Sequence, residues 1–423
     1  MNGKSHSRIV ITGTYCSLNK GDAAMRIALT DALKKAIPDC HVTMMTPFPE
    51  LDGSAYRSDV TLKCSRRRPV KAMGLILLAS VWHAVHRVFR LDLRFILNKE
   101  MRVYRESDVV VDLSGDGLTE EYGTKCLIAH LIPIVLGKLL NKPVFVCAQT
   151  IGPFDKNEAL CRWILRKTDV VTAREKLTYD YLSNLGLNGT TLSLTADMAF
   201  LVGSIPPETA RNILSKEGVT FDKPIAGFSI SRLPGHILGS AEERKATSLE
   251  LELAETLDKL VEKGMHPVFV SHATGPGDRR DDRKAAKRVA DISRYSSEIT
   301  VLEGDYSAEE IKGIISQMEI FAGVRMHSCI AAMSMCVPTA IIAYGPKAYG
   351  IAGLAGQSRW VMDIRNITSG KLFDTLQQLW QERESVRKSL REEMAAINKL
   401  AEENVTIIQA LLNKKDRPAR RLR

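Results

Sequence analysis

At 423 residues the chain is longer than a single ordinary hydrophobic core requires, and it suggests two domains of roughly 200 residues each. Hydrophobic residues make up 45% and charged residues 26%, a balance that excludes an intrinsically disordered chain and an integral membrane protein. The net charge of +10 would suit an anionic lipid or an acidic polymer. Because no nucleic-acid-binding motif accompanies the charge, we expect no nucleic-acid partner.

The N-terminal residues and the cysteines both favour a cytoplasmic location. Residues 2–8 are polar, show no leader pattern and run directly into an apolar strand. The longest apolar run, residues 74–85, is shorter than a bilayer-spanning helix needs. Eight cysteines without a CxxC pair predict neither disulfide bonds nor a zinc site, and no other metal motif is present, so we expect no metal.

The first half of the chain alternates apolar strands with helices, which predicts a parallel, doubly wound sheet of the α/β class. The first strand ends at Gly13, and helical periodicity follows over residues 23–36 and again over 127–140. The predicted strands of this half cover residues 8–13, 41–46, 108–113, 143–148 and 169–173.

A basic insertion, from about residue 57 to residue 100, interrupts this alternation. Apolar residues recur at helical spacing from Leu78 to Ile96, with basic residues on the opposite face, so we predict a helix over 75–97. The ordinary interpretation is that its apolar face packs on the domain core and its basic face is solvated. The alternative is that this helix, with Arg66–Arg68 and Lys71 beside it, makes peripheral contact with anionic lipid at the inner face of the membrane.

The alternation restarts after a crossover that opens near residue 202, where Pro206-Pro207 predicts the start of a short helix. Strands are predicted over residues 225–231, 267–271, 299–302, 320–323 and 339–344, and helices over residues 249–263, 308–317, 328–336 and most of 372–412. The predicted division is an N-terminal Rossmann-like domain over 1–201, a C-terminal Rossmann-like domain over 202–371 that faces it across a cleft, and C-terminal helices with a basic tail over 372–423.

Cationic side chains follow the predicted strands of the second half. Arg325 and His327 come directly after strand 320–323, and the next strand ends at Tyr344, just before Lys347. Because open α/β sheets place ligands at the carboxyl ends of their strands, these groups should meet in one crevice. An arginine fork, an imidazole and an ammonium group together suit a small ligand that carries carboxylate or phosphate.

Two further residues of this half are expected in the same crevice. Arg232 follows the strand over 225–231, and His272 follows the strand over 267–271. The charged run at 279–284, a little after His272, is predicted to be a solvated loop and the start of a helix.

Three glycine-containing loops follow strands of the first half. The loop that holds Asn19, Gly21 and Asp22 precedes a helix, so its polar side chains can cap that helix or bind a ligand. The other two contain Gly115-Asp116 and Gly152, where a glycine allows close approach of the backbone to a neighbour. We predict that these six residues form the loop side of a site, opposite the cationic crevice, where a second substrate that accepts a transferred group would bind.

These segments together resemble the polysaccharide pyruvyl transferase family. They follow the family order from about residue 9 to residue 355. The matching segments are Asn19-Lys20-Gly21-Asp22-Ala23, Ser114-Gly115-Asp116-Gly117, Gln149-Thr150-Ile151-Gly152-Pro153-Phe154, Thr172-Ala173-Arg174-Glu175, Ala196-Asp197, Arg325-Met326-His327-Ser328, Val337-Pro338 and the stretch from Tyr344 to Lys347.

The resemblance implies a glycosyltransferase-B-like pair of Rossmann domains and a defined reaction. Phosphoenolpyruvate would act as co-substrate, and its enolpyruvyl group would form a pyruvate ketal on a sugar of a cell-surface polysaccharide or glycolipid precursor, with release of phosphate. The acceptor would be a sugar or a lipid-linked oligosaccharide, and neither a redox cofactor nor a metal would be required.

On this resemblance the cationic crevice becomes the donor site. Arg232, Arg325, His327, Lys347 and Tyr344 would bind phosphoenolpyruvate. Arg325, His327 and His272 would be the catalytic candidates, with His327 as general acid, because imidazole titrates near neutral pH, and His272 in reserve. Asp22 or Asp116 would accept a proton from the acceptor.

Two alternatives stay open at the level of sequence. One is a nucleotide-sugar glycosyltransferase on the same fold. The other is a non-catalytic member that binds glycan or lipid, because Asp116 interrupts a turn that is usually a run of glycines in the family. The acceptor sugar, the ketal stereochemistry and the oligomeric state are not fixed by the sequence.

Overall fold

The computed structural model describes residues 6–53, 60–65, 69–231, 240–277 and 280–416. Arg232 and the cluster Arg66–Arg68 lie outside these ranges. The chain divides into two compact units. Unit 1 comprises Met1–Ser17, Met25–Met198 and Lys399–Arg423, and unit 2 comprises Leu18–Ala24 and Ala199–Asn398.

Unit 1 contains a seven-stranded parallel sheet in the order β3-β2-β1-β4-β5-β6-β7. Its strands are β1 (Arg8–Thr12), β2 (His41–Thr46), β3 (Val60–Cys64), β4 (Val109–Asp112), β5 (Val144–Gln149), β6 (Val170–Ala173) and β7 (Thr191–Leu194). The helices among and after these strands are α1 (Lys20–Ala36), α2 (Pro49–Asp52), α3 (Pro69–Phe89), α4 (Lys99–Glu106), α5 (Thr124–Leu139), α6 (Glu158–Leu165) and α7 (Lys176–Leu185), with a 3₁₀ turn at Arg94–Ile96.

The inner strands of this sheet are the ones that the sequence predicts. β4, β5 and β6 are buried at every position, as expected for parallel strands covered by helices on both faces. The edge strands β3 and β7 were not predicted. Most of their residues are only partly buried, so neither strand forms the continuous apolar run that marks a buried strand.

The helix of the basic insertion packs on the core as predicted, but its bounds differ from the prediction. It ends at Phe89 rather than near residue 97, and Arg90 leaves the helix with a φ of 59°. Its buried face consists of Ala72, Leu75, Ala79 and Trp82, which pack into the core of unit 1. Of the predicted stripe from Leu78 to Ile96, Trp82 lies in this core and Leu78, Leu93 and Ile96 pack against it, whereas Phe89 is exposed.

The same helix is longer than the apolar run from which the sequence predicted no bilayer-spanning segment. Among the described residues, Lys71–Phe89 is a helix long and apolar enough to cross a membrane by length and composition, with a mean hydropathy of 1.4. The longest apolar run, residues 74–85 with His83 inside it, is therefore shorter than the apolar helix that contains it.

Unit 2 contains a six-stranded parallel sheet in the order β10-β9-β8-β11-β12-β13. Its strands are β8 (Ile225–Ser229), β9 (His266–Phe269), β10 (Thr300–Val301), β11 (Ile320–Gly323), β12 (Thr339–Ala343) and β13 (Val361–Asp363). Its helices are α8 (Pro207–Lys216), α9 (Ser240–Glu262), α10 (Asp282–Ile292), α11 (Ala308–Ile315), α12 (Met326–Ser334), α13 (Pro346–Leu354) and α14 (Ser369–Gln381), with 3₁₀ turns at Met198–Leu201, Ser296–Glu298, Ser358–Trp360 and Ile364–Asn366. β13 is a short, partly exposed edge strand, and the sequence did not predict it.

The C-terminal helices do not form a unit of their own. The last helix, α15 (Arg383–Asp416), contributes its residues up to Asn398 to unit 2 and those from Lys399 to unit 1. Asn404 ties its second part to unit 1, because its side chain accepts a hydrogen bond from Thr172 Oγ1 (2.9 Å) and donates one to the carbonyl of Ala196 (3.2 Å).

Candidate functional site

The predicted donor and catalytic residues, apart from Arg232, lie along the carboxyl edge of the sheet of unit 2. His272 follows β9, Arg325 and His327 follow β11, and Tyr344 and Lys347 follow β12. β9 is separated from β11 by β8 alone, and β11 pairs directly with β12, so these residues follow strands that lie close together in one sheet.

The start of α1, with the two residues before it, completes this edge. Leu18–Ala24 belongs to unit 2, and its backbone pairs with the loop after β9. The N–H of Lys20 donates to the carbonyl of His272 (2.9 Å), and the N–H of Thr274 donates to the carbonyl of Leu18 (2.9 Å). The Asn19 side chain accepts a hydrogen bond from the N–H of Gly21 (3.1 Å), so it acts as a cap for α1.

Gly21 lies directly against the ring of His327. A Cβ atom added at Gly21 would lie 2.1 Å from Nδ1 of His327, far inside van der Waals contact. The glycine is therefore required by the close approach of α1 to this ring. Asp22, the next residue, lies in the first turn of α1 and is buried.

His272 is a buried, neutral imidazole. Among the described residues neither of its ring nitrogens has a hydrogen-bond partner. Burial lowers its pKa well below 6.5, and the nearby charges of His327, Arg325 and Lys20 lower it further. Because the ring is neutral at pH 7, it can accept a hydrogen bond or orient a ligand, but it carries no charge to attract an anion.

Arg325 is held by a buried carboxylate that the sequence analysis placed in a solvated run. Its Nε and Nη2 donate to the two oxygens of Asp282 at 3.0 and 2.8 Å, and Asp282 is 3% exposed. Asp282 also accepts a hydrogen bond from the N–H of Ala273 (3.0 Å). Burial raises the pKa of the Asp282 carboxyl, and the charge and hydrogen bonds of Arg325 act against that rise. The prediction of a solvated run is wrong at this residue, because Asp282 fixes the arginine to the loop after β9.

Lys20 is a further cation of this edge. Its side chain is almost fully buried, and its Nζ lies 2.6 Å from Asp305 Oδ1, on a carboxylate that is 54% exposed. Thr274 Oγ1 donates to the same oxygen (3.0 Å). The pKa of Asp305 is lowered: burial acts to raise it, but the hydrogen bond and the charge of Lys20 outweigh that effect.

The edge is therefore less basic than the sequence predicts. Lys20 and Arg325 each face a carboxylate, whereas Lys347 is buried with its Nζ 4.8 Å from the centroid of the Tyr344 ring, a cation–π contact. Lys20, Asp282 and Asp305 were missed as site residues. Only Lys20 could have been predicted as a site residue, because it lies in the family-like segment Asn19–Ala23. Asp282 and Asp305 are far from their partners in sequence, and only the folded chain brings them together.

A second polar network lies at the carboxyl edge of the sheet of unit 1. Ser114 Oγ donates to Gln149 Oε1 (2.7 Å), and Gln149 Nε2 donates to the backbone carbonyl of Asp112 (3.0 Å). Asp116 accepts a hydrogen bond from the hydroxyl of Tyr122 (2.8 Å), and the carbonyl of Gly115 accepts one from the N–H of Thr150 (2.8 Å). The loop after β4 is thus fixed to the loop after β5.

Arg174 and Asp197 form a buried ion pair at this same edge. Arg174 Nη1 lies 2.7 Å from Asp197 Oδ2, and Arg174 Nε donates to Thr150 Oγ1 (2.9 Å). Burial acts to lower the pKa of Arg174, but the charges of Asp197 and Asp116 raise it. Asp116 therefore compensates a buried cation within unit 1.

Gly152 has a packing role in this unit. Its φ is 72°, and a Cβ atom there would lie 2.4 Å from the ring of Tyr181. Among the described residues, no group of three or more His, Cys, Asp or Glu side chains could hold a metal ion.

The sequence matches the family described as polysaccharide pyruvyl transferase over residues 19–346, which contain both polar edges. A curated relative, the amylovoran biosynthesis protein AmsJ of Erwinia amylovora, is 20% identical over 383 residues, which cover 86% of this chain and 90% of that protein.

Solved structures of similar fold include a glycosyltransferase from Rickettsia africae, with a TM-score of 0.61 and 12% identity over 97% of this chain and 99% of that one. A putative UDP-N-acetylglucosamine 2-epimerase from Listeria monocytogenes aligns with a TM-score of 0.62 and 12% identity over 98% of this chain and 99% of that one. These similarities identify the fold as glycosyltransferase-B-like. The family match extends over most of the chain, and the chain therefore belongs to the polysaccharide pyruvyl transferase family and is a transferase.

Proposed function

We propose that the protein transfers the enolpyruvyl group of phosphoenolpyruvate to a sugar of a cell-surface polysaccharide or glycolipid precursor, and that it does so in the cytoplasm. The observation that carries the proposal is the cluster of Lys20, Arg325, His327 and Lys347 in unit 2, within a chain of this family. A compact anion with one carboxylate and one phosphate suits an arginine fork and two ammonium groups.

Lys20 and Asp305 suggest how the donor enters. Lys20 is buried, whereas the carboxylate of Asp305 is about half exposed, so this carboxylate can swing into water without loss of its solvation. A phosphate or carboxylate of the donor would then replace it beside Lys20. Arg325, held by Asp282, would offer its remaining N–H groups in a fixed orientation.

The reaction needs one proton at the methylene carbon of the donor and one group that accepts protons from the sugar. His327 is assigned as the acid, since burial lowers the pKa of His272 well below 6.5 and leaves that ring without the acidic proton of an imidazolium at pH 7. Protonation at C3 makes C2 electrophilic, a sugar hydroxyl adds there, and the C2–O bond to phosphate breaks with its electron pair. A second hydroxyl then closes the ketal. The two hydroxyl protons balance the new methyl hydrogen and the proton taken up by phosphate.

Asp22 is the carboxylate that we assign as proton acceptor for the sugar. It directly follows Gly21, which touches His327, and it is buried within unit 2. Asp116 is the weaker candidate, because it already accepts a hydrogen bond from the Tyr122 hydroxyl. Its charge also raises the pKa of Arg174. No cofactor or metal is part of this proposal.

The test is turnover with phosphoenolpyruvate and candidate lipid-linked oligosaccharide acceptors, followed by phosphate release and by the ketal methyl signal in NMR. In D₂O the methyl group should carry one deuterium, because its third hydrogen comes from an exchangeable acid. His327→Ala should lower kcat by about 10² to 10⁴-fold. The matched control is Arg359→Ala, an exposed arginine of unit 2, which should leave turnover unchanged. If His327→Ala turns over as fast as the wild type, His327 is not the acid. If the protein instead releases a nucleotide from a nucleotide sugar, it is a glycosyltransferase and the proposed reaction is wrong.

A further inference from the structure

The apolar surface of α3 that faces away from unit 1 is exposed. Met73, Leu77, Val81 and Val88 recur at intervals of four or seven residues and so share one face of the helix. The side chains Phe89, Leu91 and Phe95 extend this face beyond the end of the helix. Each of the seven is at least 48% exposed. We call them the apolar face of α3. An exposed apolar patch of this kind marks an interaction surface.

The opposite side of α3 is fixed in the core, which decides how the helix can meet a membrane. Trp82 is fully buried, and Ala72, Leu75 and Ala79 pack beside it in the hydrophobic cluster of unit 1. Although Lys71–Phe89 has the length and the hydropathy of a membrane span, it cannot cross a bilayer while this side stays packed. The folded unit can only lay the helix flat at an interface.

A basic cavity of about 430 Å³ adjoins the apolar face of α3. Phe95 is part of the apolar face and also lines the cavity. Arg105 connects the cavity to α3, because its guanidinium lies 5.2 Å from the centroid of the Trp82 ring. The charged residues that line the cavity are Arg8, Arg94, Arg102, Arg105, Lys142 and, as its one carboxylate, Glu106. Asp92 pairs with Arg94 (2.9 Å) and Arg105 (3.0 Å), so the described charges around the cavity remain positive in sum.

We propose that unit 1 docks on an anionic lipid bilayer through α3, with the apolar face in the interfacial layer and lipid phosphate groups in the basic cavity. Arg87, Arg90 and Arg94 lie beside the apolar residues and match the negative surface of such a bilayer. A second copy of the chain is the poorer occupant, since a two-fold interface would bring the same positively charged patch from both copies into one surface. The proposal differs from the sequence-based alternative, because apolar side chains rather than a basic face meet the lipid. It does not depend on the pyruvyl transfer reaction.

The experiment is co-sedimentation of the full chain with vesicles of phosphatidylcholine alone or of phosphatidylcholine mixed with phosphatidylglycerol. Wild-type protein should bind the mixed vesicles at least about tenfold more tightly, and added salt should weaken this binding. The double variant Leu77→Ser with Val88→Ser should lose at least about tenfold in affinity for the mixed vesicles. Its matched control is Trp163→Ser on α6, an equally exposed apolar side chain of unit 1, which should bind as the wild type does.

A second pair of variants tests the charge. Arg87→Gln with Arg94→Gln should weaken binding to mixed vesicles and reduce the salt dependence, whereas Arg162→Gln on α6 with Arg166→Gln at its C-cap should change neither. Because all of these side chains are exposed, melting temperatures near that of the wild type will show that the variants fold. Equal vesicle binding in the α3 variants and their controls overturns the proposal. So does a wild-type dimer that Leu77→Ser with Val88→Ser converts to a monomer without an effect on lipid binding.

Discussion

At the scale of single residues, the candidate site is defined by side chains that hold one another in place. The sequence was sufficient to place Arg325 and His327, because a strand followed at once by polar residues is a local signal. It could not show that Asp282, 43 residues before Arg325, would be buried against that arginine. A charged run beside a helix start is the same pattern whether it is solvated or paired.

Gly21 offers a sharp test at this scale. In Gly21→Ala the new methyl group would overlap the ring of His327, so the ring must move. We expect the NMR resonances of the His327 ring to shift and kcat for phosphate release to fall about tenfold or more, while the fold is kept. Gly203→Ala in the same unit, where nothing lies within 4 Å of the added carbon, is the control and should change neither. An unaltered His327 signal in Gly21→Ala would contradict the close approach.

Lys20 and Asp305 give a pair of opposite expectations. If the donor anion replaces Asp305, then Lys20→Met should raise KM for phosphoenolpyruvate by about tenfold or more, because a charge-assisted hydrogen bond is lost. Asp305→Asn should lower KM, since it removes the competing carboxylate. Steady-state kinetics of both variants checks this. A rise of KM in Asp305→Asn would mean that the carboxylate positions Lys20 instead of competing with the donor.

At the scale of elements, the inner strands were predictable, whereas of the described edge strands β3, β7, β10 and β13 only β10 was predicted. β4 to β6 and β11 are continuous buried runs, whereas β3, β7 and β13 are partly exposed. Phe89 shows a related limit in α3, because helical periodicity groups it with the core-facing residues Leu78 and Trp82 although its side chain is exposed.

The short helix α2, which precedes the insertion, provides a stability prediction. Its Asp52 pairs with Arg26 at 3.1 Å, and both side chains are fully buried. Asp52→Asn removes the carboxylate charge beside this buried arginine, which should cost about 3 to 5 kcal/mol of unfolding free energy in unit 1. Asp180→Asn, in an exposed pair of α7, should cost under about 1 kcal/mol. Urea unfolding followed by hydrogen exchange in unit 1 measures both. Equal costs would show that the buried pair stabilises nothing.

The same pair predicts a pH dependence. Burial acts to raise the pKa of Asp52, but the charge of Arg26 and the hydrogen bonds of Thr46 and Ser17 bring it below the ordinary value of 3.8. A lowered pKa stabilises the folded state above the ordinary value, and that contribution is lost as the pH falls through the folded pKa. Stability should therefore fall below about pH 4 in the wild type and less so in Asp52→Asn.

At the scale of the whole molecule, two successive α/β patterns were enough to predict two Rossmann-like sheets, and the family match and the structural similarities agree with that class. The division of the chain was harder to predict. Leu18–Ala24 belongs to unit 2 although it lies near the N-terminus, because its backbone pairs with the loop at His272. The end of α15 belongs to unit 1 although it lies near the C-terminus, because Asn404 contacts Thr172. The facing of the two domains across a cleft stays a prediction.

The central claim is that unit 2 binds phosphoenolpyruvate at the carboxyl edge of its sheet, and thermal unfolding with added ligand tests it most directly. At about 100 times its Kd, phosphoenolpyruvate should stabilise the folded state by about 2.7 kcal/mol and raise the Tm by about 5 to 10 °C. Arg325→Gln should lose most of this shift, and a nucleotide sugar such as UDP-glucose should produce none. A rise with UDP-glucose and none with phosphoenolpyruvate would contradict the account.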